Sequence, residues 1–364
     1  MRTTFLLGNG FDINLGLETR FRNFYDYYLK MESKNDIIKK FKHDLSKNLE
    51  NWSDLEIALG EYSKNFNKKS EQDFIDLLID IQDNLAEYLD KQDSEFVLSD
   101  LDKKRALDNL INYDAYLTPR ERQTFLGYRN LAENHISVIT FNYTKTFEKI
   151  YEWNGEPKTV GKRPIRGYDY KEILEYFEHI HGTTTNNMLL GVNDYSQILS
   201  DELKVSDKTL RSFVKTLMNF NAGTLRDERC TSAIMKSDII CIYGMSMGET
   251  DKYWWHKIGE TMATSNAALV IFNKIDEIIP NRRAYAQEDN KEIIKNIFLD
   301  HLNFNDAIKS NISKRIFVCL NSNMFKVKLD YSKKQPNVKE VLNSAEKLVE
   351  NGLKDLKLPN INLK

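Results

Sequence analysis

A doubly wound α/β fold with a mainly parallel sheet, carrying a large helical insertion after its first strand, is what this 364-residue sequence predicts. Two observations lead there. Apolar runs of strand length recur at 3–7, 136–141, 177–181, 188–191, 239–243, 269–272 and 316–320, and helical patterns separate most of them. Strands alternating with helices make a parallel sheet covered on both faces. Between the first two runs, over 21–134, the periodicity is helical throughout, as in the stripe Phe74, Leu77, Leu78, Ile81, Leu85 and Leu89.

The first strand feeds the turn Gly8-Asn9-Gly10-Phe11-Asp12. Glycines in such a turn let backbone N–H groups approach phosphate oxygens, so these five residues are candidate nucleotide contacts. Ile13 stands where an ordinary dinucleotide fingerprint needs a third glycine, which disfavours a dehydrogenase. Within the insertion, Ser53 with Glu56 and Thr118 with Glu121 have the spacing of capping boxes, and Trp52 with Ile57 that of a hydrophobic staple. That spacing gives Glu56 a structural role and leaves Asp54 open.

The second strand ends in Phe141-Asn142-Tyr143-Thr144, with Asn142 able to donate and accept and Tyr143 beside it. The stretch 155–162 imitates a P-loop, but Arg163 occupies the Ser or Thr position, and the resemblance is rejected. The next strand closes on His179, Ile180, His181 and Gly182. Period-two alternation places both histidines on one face, and His181 beside a glycine is a candidate general base. A later strand runs into Gly244-Met245-Ser246 and on to Asp251, a helix cap or a ribose contact. All these segments fall at strand ends that one sheet edge gathers, where α/β sheets bind ligands. The predicted organisation is a Rossmann-like core (1–20 and 135–332), a helical insertion (21–134), and a C-terminal amphipathic helix and tail (333–364).

Bulk properties narrow the partners. With 52 Lys and Arg against 54 Asp and Glu, the net charge of -2 demands neither nucleic acid nor an anionic membrane, although a local nucleic-acid contact stays open. Cys230, Cys241 and Cys319 are too far apart for a paired metal motif and read as buried thiols. No apolar run approaches the roughly 18 residues of a membrane span, and no leader peptide is visible; a cytoplasmic protein is expected.

Four motifs carry a family resemblance: LLGNGFD at 6–12, WSDLE at 52–56, FNYT at 141–144 and YGMSMGETD at 243–251. Together they resemble the AbiH family of phage abortive-infection proteins over nearly the whole chain. More distantly, the order of glycine turn, Asn-bearing strand end, His-Gly and Gly-x-Ser resembles the sirtuin fold, including its NAD-hydrolysing defence branch. The resemblance implies a pyrophosphate site at Gly8, Asn9 and Gly10, ribose contact by Asn142, a catalytic base in His181 before Gly182, and a dinucleotide site at Gly244 and Ser246. It departs from that pattern at Asn9 and Thr144, and it lacks the paired cysteines of the sirtuin zinc module, which disfavours deacetylation. The expected activity is cleavage of the nicotinamide N-glycosidic bond of NAD, with no cofactor or metal required, a phage-derived trigger, and a homo-oligomeric state. A metal-dependent nuclease or phosphohydrolase using Asp12, Asp54, Glu56 and Asp251 is the alternative enzyme. A non-catalytic nucleotide sensor is the third reading.

Overall fold

The structure, a computed structural model, describes residues 1–129, 131–165, 167–275 and 282–326. The expected C-terminal helix lies outside them. Seven strands form one sheet: β1 (Arg2–Leu7), β2 (Asn134–Thr140), β3 (Lys158–Ile165), β4 (Tyr168–His179), β5 (Ile239–Tyr243), β6 (Ala268–Asn273) and β7 (Ile316–Leu320). Their spatial order is β3-β4-β2-β1-β5-β6-β7. β3 pairs antiparallel to β4, and every other neighbour pairs in parallel.

β5 and β7 are apolar without a break because both sheet faces are covered there. Phe5 and Leu7 of β1 join Val138 and Cys241 in one core, while Leu6 joins Ile139, Ile240 and Ile242 in another. The first core is closed by α6 (Asp100–Ile111), α7 (Pro119–Phe125) and α8 (Thr146–Tyr151) through Leu110, Phe125 and Phe147. The second is closed by α11 (Arg226–Met235), α12 (Lys252–Thr264), α13 (Ala284–Asp300) and α14 (Asp306–Ser313) through Ile234, Trp255, Phe298 and Ile312. A short helix α1 (Gly10–Asn14) follows β1 directly.

A third core belongs to a helical unit. It joins α2 (Phe21–Tyr28), α3 (Asp36–Lys47), α4 (Leu55–Tyr62) and α5 (Glu71–Glu95) to residues 188–214, which include α9 (Asp207–Phe213). The predicted stripe from Phe74 to Leu89 lies on the buried face of α5. Thr118 and Glu121 form the expected capping box of α7. At α4 the box does not form. Asp54 is the cap, accepting from the amides of Glu56 and Ile57 at 3.1 Å each, and Trp52 packs edge-on against Phe41. The Glu56 side chain is therefore released from capping and turns inward.

Two strand expectations change. Residues 188–191 are not a strand; Met188 and Leu190 fill the helical core instead, and a four-residue apolar run does not by itself separate the two outcomes. The hairpin β3–β4 begins well before the expected 177. Its early residues sit at the sheet edge, where polar side chains such as Lys158 and Lys162 are compatible with pairing. β4 stops at His179, so His181 lies beyond the strand and the predicted alternation does not relate the two histidines. Among the described residues no helix is long and apolar enough to cross a membrane.

The strand order reverses between β1 and β5, and there the two following loops cross backbone to backbone. The Gly8 amide donates to Tyr243 O at 2.9 Å and the Gly10 amide to Gly244 O at 2.8 Å. A Cβ on Gly10 would lie 2.5 Å from Gly244 Cα, and one on Gly244, whose φ is +68, would lie 2.7 Å from Gly10 Cα. Gly244→Ala is expected to cost about 2–5 kcal/mol, combining left-handed backbone strain with overpacking. Gly155→Ala, at φ +92 with nothing within 4 Å, should cost only about 1–2 kcal/mol. Urea unfolding of both variants measures the difference, and equal losses would refute the steric account of the crossing.

Candidate functional site

The carboxyl ends of the central strands open into a cleft of about 1450 Å³. Gly8, Asn9, Gly10 and Asp12 border it from the β1 loop, Asn142 and Tyr143 from the end of β2, and His181 from beyond β4. Gly244, Ser246 and Asp251 border it from the β5 loop. Of the residues that the sequence nominated, Phe11 and Gly182 do not line it. Phe11 is buried against Phe147 and Phe325. Gly182, at φ +73, serves a tight turn in which a Cβ would fall 1.9 Å from Asn187 O.

The first loop spends its polar groups on its own framework. With the Gly8 and Gly10 amides bonded to the β5 loop, the glycines provide room at the crossing rather than free donors. Asn9 is tied to Thr19, its Nδ2 donating to Thr19 O at 2.8 Å and its Oδ1 accepting from the Thr19 hydroxyl. Asp12 accepts from the hydroxyls of Thr144 at 2.5 Å and Thr146 at 2.6 Å, which anchors the β2 loop to α1. Burial raises its carboxyl to about 6, against the opposing pull of these hydroxyls.

Asn142 stands above this anchor. Its backbone carbonyl accepts from His179 Nδ1 at 2.8 Å, while its buried Nδ2 makes no hydrogen bond of good geometry and has only a weak interaction with the Asp12 carboxyl. A buried donor so poorly satisfied costs up to about 1–3 kcal/mol, a cost that a ligand oxygen would remove. His179 has both ring nitrogens engaged, the second lying 2.8 Å from Glu148 Oε1, and is structural.

His181 has a different setting. Its ring is 6% exposed, edge-on to Phe141 at 5.2 Å, and its Nε2 lies 3.4 Å from Asp251 Oδ1. Behind Asp251 stands Lys215, the first residue of α10 (Lys215–Asn221). Its Nζ lies 2.6 Å from Glu56 Oε2 and 3.1 Å from Asp251 Oδ1. The other Glu56 oxygen accepts from the Gly191 amide at 3.2 Å. Burial, reinforced by the positive charges of Lys215 and Arg226, holds His181 well below the usual histidine range, so its imidazole is neutral at pH 7. Burial raises the Glu56 carboxyl while Lys215 opposes it. Lys215 itself is disfavoured by burial but kept charged by Asp251 and Glu56.

Lys215 is what sequence reasoning missed, and Glu56, given mainly a capping role and otherwise named for the alternative nuclease, is its partner. A single lysine after Phe213 and Val214 matches no motif, and the only hint was its place in an apolar stretch. Asp54, left open, caps α4 and also borders the cleft. Among the described residues no group of three or more His, Cys, Asp and Glu side chains is arranged to hold a metal ion.

The profile of a protein family described as bacteriophage abortive infection AbiH matches residues 4–273, a span running from β1 through β6. Comparison with curated proteins finds no match.

The Asp12 anchor makes stability depend on pH. Its folded carboxyl, near 6, lies above its ordinary value of 3.8, so its contribution is full below pH 3.8 and is lost as pH rises through 6. Asp12→Asn removes that loss. Relative to wild type, the variant should gain on the order of 3 kcal/mol between pH 4 and pH 7. Urea titrations of both proteins at the two pH values measure this, and a difference independent of pH would contradict the assignment.

Proposed function

The chain belongs to the AbiH family of bacteriophage abortive-infection proteins, and from that premise we propose that it binds NAD or a related nucleotide in the cleft and cleaves the bond between nicotinamide and ribose. The observation that carries this reading is that Asn142, with its poorly satisfied Nδ2, and a neutral, shielded His181 line one cleft at the carboxyl edge of the sheet.

In this mechanism the C1′–N bond breaks with its electron pair passing to the nicotinamide nitrogen, which neutralises the pyridinium, and positive charge develops on the ribose. Asn142 orients the ribose or the attacking water. His181 accepts a proton from a ribose hydroxyl or from that water, a role suited to an imidazole that is uncharged at pH 7. The reversal of strand order between β1 and β5 supports a sirtuin-like, Rossmann-type placement of the dinucleotide across the crossing. There the loops that carry Gly8, Gly10, Gly244 and Ser246 would border the pyrophosphate.

The nuclease reading has a weaker footing. Asp54, Glu56 and Asp251 do approach one another, but the Lys215 ammonium already lies between Glu56 and Asp251, and Asp12 is committed to two threonine hydroxyls. Purified protein incubated with NAD, with and without lysate of phage-infected cells, should release nicotinamide. His181→Ala and Asn142→Ala should each lower that rate by about 100-fold or more. Undiminished release from His181→Ala would overturn the assignment. Tight NAD binding with no product would favour the sensor, and magnesium-dependent loss of nucleic acid would favour the nuclease.

A further inference from the structure

The polar contact of the His181 ring is with Asp251, and Asp251 is itself held by another residue. At 3.4 Å the contact from Nε2 to Asp251 Oδ1 is too long to orient the ring unaided, and Phe141 and Tyr143 bound the ring without hydrogen-bonding it. Asp251 is 19% exposed at its side chain and stands in a short turn before α12. What holds it is Lys215, 7% exposed, bonded to the same Oδ1 and braced from the other side by Glu56.

We propose that Lys215 is the positioning residue of the site: by clamping Asp251 against His181 Nε2, it holds the imidazole as the neutral tautomer whose Nδ1 is the free base. The catalytic consequence rests on the NAD-cleaving reading, whereas the clamp itself does not. Asp251 Oδ1 already acts as an acceptor toward the Lys215 ammonium, so a neutral His181 facing it carries its proton on Nε2, and Nδ1 is left as the basic atom.

The charges facing His181 make Lys215 decisive. Asp251 faces it from the turn before α12, Lys215 from α10 and Arg226 from α11, while Asp227 lies across a cavity of about 20 Å³ that His181 also lines. Glu56 and Asp54 belong to the α4 end, with Glu56 joined through Lys215. Arg226 is already paired with Glu178 at 3.5 Å. Removing the Lys215 ammonium therefore leaves a buried histidine beside carboxylates that have lost their counter-ion. The ring then keeps a proton to a higher pH, although burial and Arg226 still oppose its charge.

The test uses the full chain with ¹⁵N-labelled histidine, following the His181 ring nitrogens by NMR. Wild type should show one neutral tautomer protonated at Nε2. Lys215→Met should protonate His181 at a pH at least about one unit higher, a tenfold rise in proton affinity. The acid limb of nicotinamide release should move up by the same amount with little change in KM, and Lys215→Arg should restore both. A His181 titration in folded Lys215→Met that matches wild type would overturn the proposal.

Should Lys215→Met not fold, Asp251→Asn provides the second measurement. It should give a mixture of the two neutral tautomers, and an unchanged single tautomer would equally overturn the clamp. A shifted His181 in protein that releases no nicotinamide would uphold the clamp and defeat the NAD reading alone.

Discussion

Two loops that touch through bare backbone organise this molecule. Where the β1 and β5 loops cross, side chains are excluded, and Gly8, Gly10 and Gly244 sit at the contact. The amides of Gly8 and Gly10 close it with hydrogen bonds to Tyr243 and Gly244. Because β1 and β5 are neighbours in a sheet buried on both faces, this crossing sets the height at which everything beyond the strands begins. The Asp12 anchor then fixes the β2 loop relative to it, and Asn142 rides on that anchor. A side chain placed at the crossing would be felt through the whole chain of supports.

The second constraint is electrostatic. Two ionisable groups, Glu56 and Lys215, are withdrawn from water together with His181, and Asp251 stands partly exposed beside them. Buried ion pairs are weak sources of net stability, since desolvation offsets most of the attraction, but losing one member exposes the others to the full cost. Their value in such a place is specificity of arrangement. The network joins the helical unit, through Glu56 and Gly191, to the sheet edge, through Asp251. The cleft and the helical unit are thus one electrostatic system.

Much of the sheet was legible because parallel strands covered on both faces must be apolar at every position, as 239–243 and 316–320 are. The edge hairpin was harder to see, since β3 carries Lys158, Lys162 and Arg163 and needs no apolar face toward solvent. Residues 188–191 were apolar for another reason, the helical core. At the site, Asn142, His181 and Asp251 could be nominated because each closes or follows a recognisable strand. Phe11 and Gly182 sat in the same motifs but turned away, a distinction made by packing. Lys215 was invisible, and the pairing of Glu56 with it could not be read, because their meaning lies in a contact spanning 159 residues, while Ser53 offered a local explanation for Glu56 that Asp54 displaced.

That long reach has a consequence for the life of the chain. The Asp12 anchor spans 132 residues, and the Lys215 clamp joins residue 56 to residue 215 and then to residue 251. Contacts so distant in sequence form late, after the entropy of closing large loops has been overcome. A chain still on the ribosome, with β5 not yet made, has neither the crossing nor the clamp. The cleft is in this way absent while the chain is being synthesised, and it takes shape only once nearly the whole described fold has assembled.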